Sequence, residues 1–240
     1  MKKVAVFDID GTLIRWQLYH AIADGLAKRG YADAAAFAAI KNARMEWKRR
    51  AHPDAFKTYE QQLVHFYDRL LDNLSVGNFT EVADAVFLEY KDQVYVYTRD
   101  LIKKLKKDGY LLFALSGSQL EIVELVANYY GFDDYVGTTY ERSGKFFTGT
   151  RIAHLGKKDQ VLKQLVARHG ATMAGSVGVG DSAGDISMLE AVQKPIAFNP
   201  ERKLFDFAKK HGWEIVVERK NVVYQLDSKN GRYVLATTKD

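Results

Sequence analysis

Val4-Ala5-Val6-Phe7-Asp8-Ile9-Asp10-Gly11-Thr12 is the stretch on which the fold turns. Four apolar residues, mostly β-formers, end abruptly in two carboxylates at i and i+2, followed by Gly-Thr. A run this short and this uniformly apolar reads as a strand buried on both faces, as in a parallel sheet. Asp8 then stands at the carboxyl end of the strand, where open α/β sheets place their ligand crevice. In an extended segment i and i+2 point to the same side. Two carboxylates crowded in this way repel each other unless a cation or a shared proton separates them. The competing reading is a plain turn, since Asp-Gly is frequent in hairpins.

Three more apolar runs, Tyr110–Leu115, Ser176–Val179 and Ile196–Phe198, read as further buried parallel strands. The first two of these end at polar, glycine-bearing turns, Ser116-Gly117-Ser118 and Gly180-Asp181-Ser182. Helical patterns over Leu101–Lys107, Gln119–Tyr130 and Lys158–Arg168 alternate with the strands. That alternation predicts an α/β, Rossmann-like parallel sheet with right-handed crossovers. Residues 16–93 break the rhythm. They are Ala-rich and amphipathic, lack strand signals, and carry Pro53 between two helical patches. The expectation is a helical cap over 16–93 inserted after the first strand, with a catalytic core made of 1–15 and 94–240. A single larger core is the alternative. A hairpin is expected around Ser143-Gly144, and a second, over Val222–Leu226 and Arg232–Thr237, at the sheet edge.

The 240 residues carry a net charge of +5, with a pI of about 9.1, which favours anionic ligands through long-range steering. The basic clusters Lys48-Arg49-Arg50, Lys103-Lys104 and Lys209-Lys210 are short and lack an aromatic platform, so nucleic acid is not an expected partner. The absence of cysteine excludes disulfides and thiolate metal sites. No apolar run approaches a membrane span, so no membrane partner is expected and the cytoplasm is the expected location. The histidines show no ligand spacing.

Three later segments acquire meaning beside Asp8 and Asp10. Leu115-Ser116-Gly117-Ser118 ends a strand with a hydroxyl and a glycine whose N–H can approach an anion. Lys157 follows Gly156 at the start of a helix. Gly180-Asp181-Ser182-Ala183-Gly184-Asp185 ends another strand with two more carboxylates. The glycines at 178, 180 and 184 also loosely match a dinucleotide-binding turn, but Asp181 would then stand uncompensated inside a phosphate cradle.

In this order the four segments resemble the motifs of the haloacid dehalogenase (HAD) superfamily, specifically its phosphoserine-phosphatase-like branch (subfamily IB). The insertion resembles that family's C1 helical cap. The resemblance implies a Mg²⁺-dependent phosphomonoester hydrolase acting on a small phosphorylated metabolite. Asp8 would be the nucleophile that forms an aspartyl-phosphate, and Asp10 the general acid and base. Mg²⁺ would be held by Asp8, the Asp10 carbonyl and Asp181, with Asp185 binding through water or bracing the site. Ser116, Lys157, Thr12 and the N–H groups of the Gly11 and Gly117 turns would bind the phosphoryl oxygens. Lys157 and Lys158 are adjacent, and the family's Gly-Lys pattern favours Lys157. Gln17 stands where phosphoserine phosphatases carry a substrate-binding glutamate, and Gly184 where the fourth motif usually has Asn. Trp16 and Gln17 are therefore the candidate specificity residues, and phosphoserine itself is not the expected substrate. Arg44, Arg49 and Arg50 are carboxylate-binding candidates by type alone. The cap aromatics Trp16, Tyr19, Phe37, Trp47, Phe56 and Tyr59 either meet a leaving group or form the cap's own core. Two other functions share these features: a phosphotransferase or phosphomutase of the same superfamily, and a non-catalytic phospholigand-binding protein.

Overall fold

The computed structural model describes residues 1–52, 54–152, 157–229 and 232–239. Pro53, Gly156 and the Asn230-Gly231 turn lie outside the described residues. In chain order the elements are β1 (Lys3–Phe7), α1 (Leu18–Lys28), α2 (Ala34–Lys48), α3 (Ala55–Leu71), α4 (Val76–Tyr90) and α5 (Val96–Lys107). They continue with β2 (Leu111–Gln119), α6 (Leu120–Tyr130), β3 (Asp134–Ser143), β4 (Phe146–Ile152), α7 (Lys158–Arg168) and β5 (Thr172–Gly180). Last come α8 (Ile186–Ala191), β6 (Lys194–Phe198), α9 (Arg202–His211), β7 (Glu214–Arg219), β8 (Val222–Lys229) and β9 (Arg232–Lys239).

The chain divides into two compact units. The larger comprises Met1–Gln17, Glu89–Thr138 and Ala153–Asp240. Its sheet runs in the order β3-β2-β1-β5-β6-β7-β8-β9, parallel from β3 to β7 and antiparallel at β8 and β9. β1 lies in the middle because it is apolar on both faces: Val4 to Phe7 are all fully buried. Val4 and Val6 pack with Val161, Leu162 and Leu165 of α7 and with Met188 and Leu189 of α8. Ala5 and Phe7 face the other side of the sheet. The strand order turns back at β1, with β2 and β3 on one side and β5 to β9 on the other. The carboxyl ends of β1 and β5 therefore flank a topological switch point, the place where such sheets bind ligands.

β7 was not expected from the sequence, although Ile215-Val216-Val217 is a β-branched run between Trp213 and Arg219. The C-terminal hairpin forms as expected and extends the sheet past β7. Where the chain leaves and re-enters this unit its two crossings are paired. Arg15 N–H donates to the Gln93 carbonyl at 2.9 Å, and Tyr95 N–H to the Leu13 carbonyl at 3.0 Å.

The smaller unit comprises Leu18–Leu88 and Thr139–Ile152. Its helical part runs from Leu18 to Leu88. The hairpin of β4 and the outer half of β3 was expected in the core, and the contacts place it here instead. Asn73 N–H donates to the Phe147 carbonyl, Phe147 N–H to Leu74, and Val76 N–H to Lys145. Phe147 is 1% exposed and meets Phe79 edge-on at 5.4 Å, so its burial ties the hairpin to the α3–α4 link. The aromatics of this unit pack on one another: Trp47 stacks on Tyr59 at 5.4 Å and tilts against Phe56 at 5.0 Å. For Trp47, Phe56 and Tyr59 this favours the reading as the unit's own core. Arg44 is likewise committed, forming two hydrogen bonds of 2.7 Å with Asp24 and one of 2.9 Å from Nε to the Tyr59 hydroxyl.

Candidate active site

The register of three parallel strands assembles the site. Phe7 pairs with Ala114 of β2 and with Val179 of β5. Residues just beyond these pairs must therefore converge: Asp8 from β1, Leu115 and Ser116 from β2, Gly180 and Asp181 from β5. Asp8 N–H donates to the Val179 carbonyl at 3.0 Å, which carries the pairing one residue past the strand.

Lys158, the first residue of α7, joins these ends. Its Nζ donates to Asp8 Oδ1 at 2.8 Å, to Asp185 Oδ1 at 2.7 Å and to the Leu115 carbonyl at 2.9 Å. This corrects the expectation for Lys157, which is exposed at the helix N-cap position. The reason is helix phase. Lys158, Val161, Leu162 and Leu165 follow i, i+3, i+4, i+7 and form the buried stripe of α7. That spacing was legible in the sequence and outranks the Gly-Lys pattern.

Asp185 is fully buried, and both of its oxygens are engaged. Oδ1 accepts from Lys158. Oδ2 accepts from Ser182 N–H at 3.0 Å, Ser182 Oγ at 3.0 Å and Asp181 N–H at 3.2 Å. Asp185 thus holds the 181–185 turn in shape, the bracing alternative named above. A Cβ on Gly180 would lie 2.6 Å from Asp185 Cβ, so only glycine lets this turn fold so tightly.

The Gly11 N–H and the Thr12 hydroxyl are each engaged within the protein. Gly11 N–H donates to the Ile14 carbonyl at 2.9 Å. Its φ of 79° is left-handed, and a Cβ would collide with the Asp181 carboxylate. Glycine serves this position by its absent side chain. Thr12, fully buried, donates from Oγ1 to Asp181 Oδ1 at 3.2 Å. Both residues shape the approach of Asp181 to Asp8.

Asp10 is 9% exposed. Its Oδ2 accepts from Ser116 Oγ at 2.9 Å and from Ser118 Oγ at 2.7 Å. Ser116 Oγ in turn accepts the Ser118 N–H at 3.0 Å. Ser116 therefore touches the carboxylate rather than open space, and Ser118 joins the site. The sequence reading passed over Ser118, although a serine two residues beyond Ser116 on an extended segment falls on the same side. Thr138 Oγ1 donates to the Gly117 carbonyl at 2.7 Å, which steadies the intervening peptide. Trp16 and Gln17 are half-buried just before α1.

The electrostatics are unbalanced. Burial pushes the Asp8 carboxyl up to about 7 despite the pull of Lys158, and the charges of Asp185 and Asp10 push the same way. Burial, reinforced by Asp8 and Asp185, holds Asp181 well above the usual carboxylate range. Burial disfavours the Lys158 ammonium, but the Asp185 and Asp8 carboxylates outweigh it and keep its pKa above that of an ordinary lysine. Asp8, Asp181 and Asp185 each offer an oxygen, all within 4.8 Å of one another. A single ammonium among these acids leaves a negative excess. A hard divalent cation that prefers oxygen ligands is the group such a donor set fits.

A family model for haloacid dehalogenase-like hydrolases matches residues 5–190. Phosphoserine phosphatase SerB1 of Mycobacterium tuberculosis is 24% identical over 218 residues, covering 88% of this chain and 69% of that protein. The histidinol-phosphatase of Neisseria meningitidis serogroup C is 27% identical over 226 residues, covering 90% of this chain and 99% of that protein. The structure of a phospho-aspartyl intermediate analogue of phosphoserine phosphatase matches with a TM-score of 0.62 at 22% identity, covering 91% of this chain and 94% of that one. At that identity the structural likeness carries the fold. No helix among the described residues is long and apolar enough to cross a membrane. With the strand-end carboxylates joined through a buried lysine and a family match that spans residues 5–190, the chain belongs to the haloacid dehalogenase-like hydrolases.

Proposed function

We propose that this phosphatase hydrolyses a small phosphorylated metabolite through a phospho-Asp8 intermediate, with Mg²⁺ as its metal. One observation carries the reading: Asp8 is joined to Lys158 and lies beside Asp181 and Asp185, while the carboxylate of Asp10, two residues on, accepts from the Ser116 and Ser118 hydroxyls. The two carboxylates of one short motif thus sit in different surroundings, as a nucleophile and a proton-transfer group require.

Asp8 attacks phosphorus with a carboxylate oxygen. The ester P–O bond breaks, and its electron pair leaves with the alcohol oxygen, which takes a proton from Asp10. Asp10 then removes a proton from the water that attacks the acyl phosphate, and Asp8 is regenerated. Lys158 orients Asp8 and offsets charge on the phosphoryl oxygens. The Asp8 and Asp181 carboxylates and the Asp10 carbonyl would hold Mg²⁺, with Asp185 bracing the 181–185 turn. When bound, the metal adds the positive charge that lets a dianionic ester approach these acids. Ser116 and the Gly117 N–H remain the proposed phosphoryl donors on the β2 side.

For the substrate, Gln17 replaces the charge that would pair with an ammonium, since a neutral amide is a weaker partner for a cation. The relatives include both phosphoserine phosphatases and a histidinol-phosphatase, and the latter matches along almost its whole length. We therefore place the substrate among small alkyl phosphates rather than at phosphoserine alone. The test is phosphate release from a panel that includes O-phosphoserine and histidinol phosphate, with Mg²⁺ or EDTA, and with Asp8→Asn as the blank. Release that needs Mg²⁺ and vanishes in Asp8→Asn is expected. Full release in Asp8→Asn or in EDTA would sink the mechanism. A rearranged ester in place of free phosphate would point to a mutase, and tight binding of an ester without turnover to a binding protein.

A further inference from the structure

We propose that Ser118 is the positioning residue for the proton-transferring carboxyl of Asp10, and that it keeps Asp10 in place while Ser116 serves the phosphoryl group. This rests on the hydrolase reading above. Three hydrogen bonds carry the argument. Ser118 Oγ donates to Asp10 Oδ2 at 2.7 Å, Ser116 Oγ donates to the same oxygen at 2.9 Å, and Ser118 N–H donates to Ser116 Oγ at 3.0 Å. Ser118 is 1% exposed and Ser116 4%, so water does not compete for either hydroxyl.

A serine hydroxyl has one hydrogen to give. Ser116 spends its hydrogen on Asp10. If it turns to a phosphoryl oxygen it can no longer donate to Asp10. Ser118 then keeps its own hold on Oδ2, and its N–H keeps Ser116 Oγ within reach. A carboxyl whose Oδ2 accepts a hydroxyl hydrogen carries its own proton on Oδ1. The Ser118 hydrogen bond therefore fixes which oxygen of Asp10 faces the leaving group. Proton transfer from a well-placed group contributes on the order of 10²–10⁴-fold, and small misplacements forfeit much of it.

The consequence is selective for the leaving group. An alkoxide needs the proton as the P–O bond breaks, whereas p-nitrophenolate leaves without it. The experiment measures kcat/KM, which reports the steps up to phosphoryl transfer to Asp8. It compares wild type, Ser118→Ala and Ser118→Thr on p-nitrophenyl phosphate and on whichever alkyl ester of the panel wild type cleaves fastest. We expect Ser118→Ala to lower the alkyl-ester value by about 10–100-fold and the aryl-ester value by less than about 3-fold. Ser118→Thr, which keeps the hydroxyl, should restore the ratio of the two. The ratio does not depend on how much of a variant is folded, so a loss of folded protein cannot imitate this result. An alkyl-to-aryl ratio in Ser118→Ala equal to that of wild type, whether both activities fall or neither does, would overturn the proposal. A wild-type protein inert on every ester would overturn the hydrolase reading itself, and this inference with it.

Discussion

Replacing Lys158 by Met removes one charge from the centre of the site and keeps most of its volume. Each of its two ion pairs, at 2.8 Å to Asp8 and 2.7 Å to Asp185, has a gross attraction of roughly 6 kcal/mol at an effective dielectric of about 20. The Lys158 and Asp185 side chains are 5% and 0% exposed, so desolvation offsets much of that attraction. Removing one partner of such a buried pair costs about 3–5 kcal/mol, because the remaining charge is left unpaired. Protonation of Asp8, already pushed up to about 7, softens the loss and places the expected destabilisation at the lower end. A protonated Asp8 is no nucleophile, so activity at neutral pH should fall by about 10²–10³-fold. The control is Lys157→Met, one residue away and exposed, with an expected change below about 0.5 kcal/mol and near-normal activity. Urea unfolding at pH 7 in EDTA reads the stability, and phosphate release in Mg²⁺ reads the activity. A Lys157→Met variant crippled beside an active, stable Lys158→Met would refute the assignment outright.

Three further perturbations follow from the same contacts. Burial lifts the Asp8 pKa from an ordinary 3.8 to about 7, so between these values the folded state binds more protons and Asp8 makes stability fall as pH rises. Mg²⁺ should relieve this, so the rise in Tm on adding Mg²⁺ should be larger at pH 8 than at pH 5; equal shifts would contradict a carboxylate metal site. His20, fully buried against the Tyr59 hydroxyl, has its pKa lowered to about 3 by burial and by the Arg44 charge. The unfolded chain then binds the extra proton between about 3 and 6.5, so His20 makes stability fall as pH drops through that window. His20→Asn should flatten the urea midpoint between pH 4 and 6.5 by nearly one proton's worth, and an unchanged slope would exclude this source. Gly11→Ala forces a side chain into left-handed backbone and into the Asp181 carboxylate. It should cost about 1–2 kcal/mol from backbone strain alone and raise the Mg²⁺ concentration needed for half-maximal activity, whereas normal Mg²⁺ dependence would count against Asp181 as a ligand.

Much of the site was legible in the chain because strand ends are. Val4–Phe7, Tyr110–Leu115 and Ser176–Val179 are apolar runs that stop at polar residues, and a parallel sheet gathers their carboxyl ends on one side. The position of the β3–β4 hairpin was not legible. Its turn signals are local, but its grouping with the helical unit depends on the burial of Phe147 and on backbone pairing with residues 73–76, far away in sequence. β7 was missed because Glu214 and Glu218–Arg219 frame a short apolar run in a stretch otherwise rich in lysine.

Taken alone, the sequence determined that four acids, Ser116 and a lysine would meet at the carboxyl end of a parallel sheet, since alternation of strand and helix gathers those turns on one side. Tertiary structure decided the partnership of each residue. The phase of α7 chose Lys158 over Lys157, because the i, i+3, i+4, i+7 stripe must face the sheet. The tight turn at Gly180 closed both oxygens of Asp185 onto its own loop and onto that lysine. The extension of β2 through Gln119 set Ser118 beside Ser116 on Asp10. Local patterns can say which residues arrive at a site, but each hydrogen and each carboxylate oxygen goes to whichever partner packing brings within about 3 Å.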